Sequence, residues 1–235
     1  MRTPTEEMKK ICLIALPWQL SSGPSLAVGA LASFLRHNNR QIQVDCRHGH
    51  LEIAGRIGNS YYRAITVGDP ISRYSDILSL NALLDWLNRY LWFNSARRMD
   101  SDEILPTRAL DPESAQSLPE LTEMVIWSIM VQVDVCIVCI GNIAREIADQ
   151  YDLIRSTTSY NQLSTSLLLC EKLKRISPAT VTVLGGALVS GKLGPSIINE
   201  YGFIDFVTQG EGEYPLNGSG DQSAFCGKVY SKNGL

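Results

Sequence analysis

Four groups of residues in this chain have types and spacings that could do chemistry. Cys136-Ile-Val-Cys139 has the C-x-x-C spacing of a zinc or dithiol site. It is embedded in an apolar run with no second pair, so it reads as buried packing. His48 and His50 flank Gly49 and have ring nitrogens that could ligate a metal. As a pair at the end of a short strand they read as solvent-exposed loop residues. Glu211 and Glu213 have the look of paired carboxylates. They read better as a loop that contacts ligand amides or starts the next element. The fourth group is dispersed along the chain. It comprises Pro17, Trp18, Gln19, Ser22 and Gly23; Ser156, Thr157, Thr158 and Ser159 with Gln162; Gly185, Gly186 and Ala187; and Gly210, Glu211, Gly212 and Glu213. Small residues, hydroxyls and amides dominate, with almost no base or nucleophile. Glycines let backbone approach a flat ligand closely, and a valine at Gly186 is expected to block such a ligand while sparing the fold. Hydroxyls and amides can hydrogen-bond a neutral, amide-rich rim. Such chemistry suits holding a large cofactor better than transforming a small substrate. No catalytic acid, base, nucleophile or metal ligand is assigned. Taken singly, each of these stretches is only a turn.

What gives them weight is the elements that end in them. Ile11–Leu16 is a continuous apolar run, the pattern of a strand buried on both faces in a parallel sheet. Pro24 suits the first turn of a helix, and Leu26, Ala30, Phe34 with Ala27, Leu31, Leu35 give that helix an apolar face. His37-Asn-Asn39 ends it, and 41–45 is a second strand. The last third repeats this grammar. Strands are expected at 151–155, 180–184 and 203–208. A helix marked by Leu163, Leu167, Cys170 and Leu173 ends before Pro178. A short helix over 195–201 is followed by Gly202 as a C-cap. Alternating strands and helices argue for an α/β fold with a doubly wound, five-stranded parallel sheet. Right-handed crossovers put all the strand-to-helix turns on one edge. The stretch 55–150 departs from this alternation and reads as a helical insertion. Within it 77–93 is rich in Leu and Trp, 100–119 is a polar loop, and 120–151 is best read as one helix, with a strand over 131–140 as the alternative.

Composition removes several classes of function. The chain has 235 residues, 45% hydrophobic and 19% charged, with a net charge of −3. That is an ordinary globular balance without the basic footprint of a nucleic-acid or anionic-membrane binder. The first ten residues are polar and hold no apolar signal core, which points to the cytoplasm. The six cysteines are scattered and read as reduced thiols. Asp134 interrupts the apolar stretch 124–140, and a carboxylate mid-span costs about 2.5–3.5 kcal/mol on insertion scales. A buried core element is the better reading. The turn after the first strand lacks G-x-G-x-x-G, and no Walker lysine sequence is present.

The ordered set of motifs resembles the N-terminal cobalamin-binding domain of cobalamin-dependent radical SAM enzymes. Ile11–Trp18 followed by Pro24–Leu35 is similar to the opening of that domain. Tyr151-Asp-Leu-Ile, Ser156-Thr-Thr-Ser159, Gln162, Ser166-Leu167, Leu184-Gly-Gly-Ala187, Gly194, Phe203-Ile-Asp205 and Gly210-Glu-Gly-Glu213 follow in the family's order. The combination is similar to the subfamily that matures ribosomally made precursor peptides, and the resemblance covers most of the chain, weakly in 55–118. The resemblance implies a flavodoxin-like cobalamin-binding domain over 1–216, with a tail over 217–235 similar to the linker before a radical SAM domain. It implies cobalamin as cofactor, lined by the four dispersed clusters. Its partners would be a radical SAM domain or chain and a precursor peptide, with neither nucleic acid nor membrane.

Two departures qualify that. The D-x-H-x-x-G motif of histidine-ligated cobalamin domains is absent, and Arg47 stands where its histidine would fall in Asp45-Cys-Arg-His48. The resemblance therefore implies cobalamin held without a protein histidine. No three cysteines have the C-x-x-x-C-x-x-C spacing of a [4Fe–4S] cluster, so radical chemistry by this chain alone is not expected. Two other readings stay open: a non-enzymatic adaptor or remnant that binds a precursor peptide through its Leu/Trp-rich insertion, and an α/β module for another flat ligand such as a flavin or nucleotide.

Overall fold

The computed structural model describes residues 9–58, 62, 66, 121–159, 162–210 and 228–231. Its elements are β1 (Lys9–Ala15), α1 (Leu26–Asn38), β2 (Ile42–His48), α2 (Gly49–Ile57), α3 (Leu121–Ile147), β3 (Leu153–Thr157), α4 (Leu163–Ile176), β4 (Val181–Gly185), α5 (Leu193–Glu200), β5 (Phe206–Gln209) and β6 (Lys228–Ser231). A single 3-10 turn, Ala187–Val189, follows β4. The strands form one sheet in the order β2-β1-β3-β4-β5-β6. The pairs from β2 through β5 are parallel, and β6 runs antiparallel to β5. The sheet thus has one strand more than the five expected. The extra strand comes from Lys228-Val-Tyr230, within the stretch read from sequence as a linker. Its main chain satisfies the outer edge of β5, which would otherwise be an open row of donors and acceptors.

The chain winds outward from β1 in both directions, to β2 on one side and to β3, β4 and β5 on the other. The order of the first five strands is that of flavodoxin-like sheets, with a topological switch point between β1 and β3. Alternation along the strands sets the two faces. Leu13 and Ala15 of β1 pack with Val28, Leu31, Ala32 and Leu35 of α1. Cys12 and Ile14 pack on the opposite face with Ile53 of α2, Ile140 and Ile143 of α3 and Leu169 of α4. In register with Ile14 lie Ser156, Leu184 and Val207. Leu184 and Val207 meet Ile197 and Ile198 of α5, so α5 covers the same face as α2, α3 and α4. Among the described residues α1 alone covers the other.

Several local expectations need correction. Pro24 lies before α1 and not in its first turn: Ser25 caps the helix, and its hydroxyl accepts from the Val28 amide at 3.5 Å. The buried stripe is then Val28, Leu31, Ala32 and Leu35, while Leu26 is 88% exposed and Ala27 and Ala30 face water. The alanines and Leu26 gave the sequence two overlapping apolar stripes, and packing on β1 and β2 selects a third. Ser156 and Thr157 lie inside β3 and Gly185 inside β4, not in the turns that follow. Gly202 is not a left-handed C-cap; Tyr201 ends α5 with extended backbone. The stretch 120–151 is helical over Leu121–Ile147, as the lack of a turn residue before Gly141 suggests. The Leu/Trp-rich 77–93 and the polar 100–119 lie outside the described residues. No helix among the described residues is long and apolar enough to cross a membrane.

Candidate functional site

The carboxyl ends of β1, β3, β4 and β5 lie side by side, so the turns expected to gather on one edge do so. They are held in different ways. The turn after β1, residues 16–25, is gripped by side chains from its neighbours. Gln162, fully buried at the start of α4, reaches across the switch point. Its Nε2 donates to the Leu16 carbonyl at 2.8 Å and to Gln19 Oε1 at 3.2 Å. Its Oε1 accepts the Ser159 amide at 2.9 Å and the Thr157 hydroxyl at 3.5 Å. An amide has two donors and two acceptor positions, so this side chain is saturated inside the protein. The Thr165 hydroxyl donates to the Pro17 carbonyl. The Tyr62 hydroxyl donates to the Gln19 carbonyl at 2.9 Å, and its ring lies 5.3 Å from that of Trp18.

From the other side come the two histidines. His50 is fully buried, and its Nε2 lies 3.1 Å from the Gly23 carbonyl, to which it donates. His48 is half-buried, and its Nδ1 accepts the Ser25 amide at 3.2 Å. Their rings meet edge to face at 5.9 Å. The expectation that they are solvent-exposed is therefore wrong. The end of β2 lies next to the end of β1, which turns both imidazoles toward the β1–α1 turn instead of toward water. Gly49 between them has a reason too: a Cβ there would lie 3.1 Å from Leu16 Cδ2 and 3.4 Å from the Ala15 carbonyl. Burial pushes the His50 pKa below its ordinary 6.5, against the carbonyls of Gly23 and Ala15, while neighbouring His48 lowers it further.

The turns after β3 and β4 are closed by backbone. The Thr158 amide donates to the Gly185 carbonyl at 2.7 Å, and the Leu188 amide donates to the Thr158 carbonyl at 2.9 Å. Gly186 lies against this crossing with φ +130°, and a Cβ on it would sit 2.9 Å from the Thr158 nitrogen. A Cβ on Gly185 would fall 2.3 Å from Arg155 Nη2 and 2.5 Å from Thr208 Oγ1. Gly186 is therefore required by the chain's own close approach, and Gly185 is crowded by side chains that would have to move. Gly186→Val strikes the fold directly, contrary to the expectation that it would spare it. Ser156 shares a 2.7 Å hydrogen bond with Ser166, whose hydroxyl lies 3.2 Å from the Thr157 carbonyl. Ser156, Thr157 and Thr158 are buried.

Of the residues expected to line a ligand, those facing outward are fewer than the sequence suggested. Ser22, Ala187 and Gly210 are exposed, and Gln19, Gly23, Ser159 and Gly186 are half-buried. A Cβ on Gly23 would meet nothing within 4 Å. Pro17 and Trp18 are buried. Glu211, Gly212 and Glu213 lie outside the described residues. Two polar atoms of the β1–α1 turn, Trp18 Nε1 and Ser21 Oγ, are buried without a hydrogen-bond partner among the described residues. Sequence reasoning missed His48, His50, Tyr62 and Thr165 as holders of this turn. The one signal for the histidines was their place at the end of a strand adjacent to β1.

The thiols contribute no site among the described residues. Cys136 and Cys139 lie buried within α3, and burial pushes the Cys136 thiol far up. Cys12 and Cys170 are each pushed up to about 12 by burial. No group of three or more metal-ligating side chains is found among the described residues. Comparison of the chain with protein-family models, with curated proteins and with solved structures gave no match.

Proposed function

We propose that this chain is a cobalamin-binding module whose ligand lies against the carboxyl edge of the sheet at the β1/β3 switch point. The observation that carries this reading is the β1–α1 turn. It stands at the position where open α/β sheets bind their ligands, and it contains two buried polar atoms, Trp18 Nε1 and Ser21 Oγ, without partners among the described residues. A buried donor left unpaired costs about 1–3 kcal/mol, which a ligand acceptor would recover. A corrinoid fits these groups because its rim is neutral and rich in amide carbonyls. The open space above Gly23 allows close approach of a flat ring. Ser22, Gly23, Gly186 and Ala187 would bound the ligand, while Gln162 and Thr165 act behind them by fixing the turn. A methylated corrinoid, once bound, supplies a transferable methyl group. The residues of this chain bind, orient and shield it, and none of them is assigned a proton-transfer role.

The test is uptake of hydroxocobalamin by the full chain, read by absorbance after desalting. A retained, base-off spectrum is expected in wild type, with loss in Gly23→Phe at unchanged thermal stability. Free-cobalamin behaviour in wild type, or uptake of flavin mononucleotide in its place, overturns the reading.

A further inference from the structure

We propose that His48 and His50 form a proton-operated latch on the β1–α1 turn, closed when both rings are neutral and released when they are protonated. The inference rests on the cobalamin reading only for its consequence, that ligand retention follows the latch. The latch itself rests on geometry. The two imidazoles hold the main chain on either side of Pro24, His50 at the Gly23 carbonyl and His48 at the Ser25 amide. Ser25 is also the N-cap of α1, so the second bond fixes where that helix begins.

The two rings respond differently to a proton. His48 accepts at Nδ1, so its own proton sits on Nε2. Protonation of Nδ1 turns that acceptor into a donor facing the Ser25 amide, and the bond is lost. His50 is fully buried and donates to Gly23, so a proton does not remove its bond but places a charge where water cannot reach it. Two imidazolium rings 5.9 Å apart would also repel.

The groups on the surrounding elements do not cancel this. On β2, Arg47 pairs with Glu52 at 2.8 Å and Glu146 at 2.5 Å, and Asp45 accepts from Tyr151 at 3.1 Å. Arg56 of α2 acts on Cys139 of α3, and Cys12 of β1 is a buried neutral thiol. Neither ring has a carboxylate partner among the described residues.

The sign follows. The pKa of His50 is lower in the folded chain than its ordinary 6.5. Its contribution to stability is therefore complete above that ordinary value. It is lost progressively as pH falls below it toward the folded value.

The test is amide hydrogen exchange of the full chain at pH 7.5 and pH 5.5, corrected for intrinsic rates. Protection at Ser25 and Val28 is expected to fall about five- to tenfold on acidification, the equivalent of one ordinary hydrogen bond, while Leu13 in β1 stays protected. The double variant His48→Asn, His50→Gln keeps an acceptor near Nδ1 and a donor near Nε2 but cannot titrate. It should hold the pH 7.5 protection at both pH values, whereas His48→Ala lacks it at both. An equal acid response in the double variant and wild type overturns the latch. Should the double variant fold poorly, titration of wild type by imidazole and amide NMR decides the matter. A Ser25 amide shift that does not follow either histidine overturns the latch as well. Hydroxocobalamin retention at the two pH values is a separate arm. Failure of wild type to retain it at either pH removes the cobalamin reading and leaves the exchange result standing.

Discussion

The turn after β1 and the turns after β3 and β4 lie on one edge and draw on the same residue types, yet they are built on opposite plans. The Gly185 carbonyl and the Gly186 Cα close on Thr158 backbone to backbone, leaving no room for a side chain on Gly186, while Gly185 packs against the side chains of Arg155 and Thr208. Residues 16–25 are instead suspended from outside, by Gln162, Thr165, Tyr62, His48 and His50. The first plan consumes its glycines internally and offers a ligand only the outer surface of Gly186 and Ala187. The second leaves Gly23 open and two polar atoms unpaired among the described residues. A Gly/Ser-rich turn at the carboxyl edge is therefore not in itself a binding loop. What distinguishes the two is whether the chain's own atoms already fill the space that the missing Cβ vacates.

Three substitutions break or sharpen this contrast. Gly186→Val should have the largest effect, because it combines a positive φ with a Cβ 2.9 Å from backbone. A loss of about 3 kcal/mol or more is expected in urea unfolding. Stability near wild type would mean that the β4 turn is not closed as described. Gln162→Ala comes next. It leaves the Leu16 carbonyl and the Ser159 amide without their partner. The expected cost is about 2 kcal/mol, with enhanced exchange on both sides of the switch point. A loss confined to the α4 side would show that the β1 turn stands without it. Gly23→Ala should be the smallest, within about 0.5 kcal/mol of wild type, since its Cβ meets nothing. A large destabilisation there would erase the distinction between the two turns.

Much of the scaffold was legible in the sequence. Five strands, the helices α1, α4 and α5 between them and the long helix α3 fall near their expected places. Apolar periodicity reports these well because burial of one face dominates local preference. The sixth strand was not legible, since Lys228-Val-Tyr230 is too short to carry a pattern and its pairing with β5 is a long-range event. The register of α1 was not legible either. Leu26 and the alanines are as apolar as the buried stripe, and only the direction of β1 and β2 selects Val28, Leu31, Ala32 and Leu35. In the candidate site, the residue types and the shared edge were readable, while the division of labour was not. Gln162 looked like a ligand contact and is a saturated brace. His48 and His50 looked exposed and are part of the support.

The sequence by itself determined the alternation of strands and helices, the gathering of the strand-end turns on one edge, and the predominance of small, hydroxyl and amide residues within those turns. Each of these follows from periodicity, chain handedness and composition, which act locally or hold for any fold of the class. Only the tertiary structure decided which glycines are filled by Thr158 and Arg155, which hydroxyls are satisfied, and which imidazoles reach the β1–α1 turn. Those outcomes depend on distances between residues far apart in sequence: a Cβ on Gly186 would lie 2.9 Å from the Thr158 nitrogen, whereas one on Gly23 would meet nothing within 4 Å.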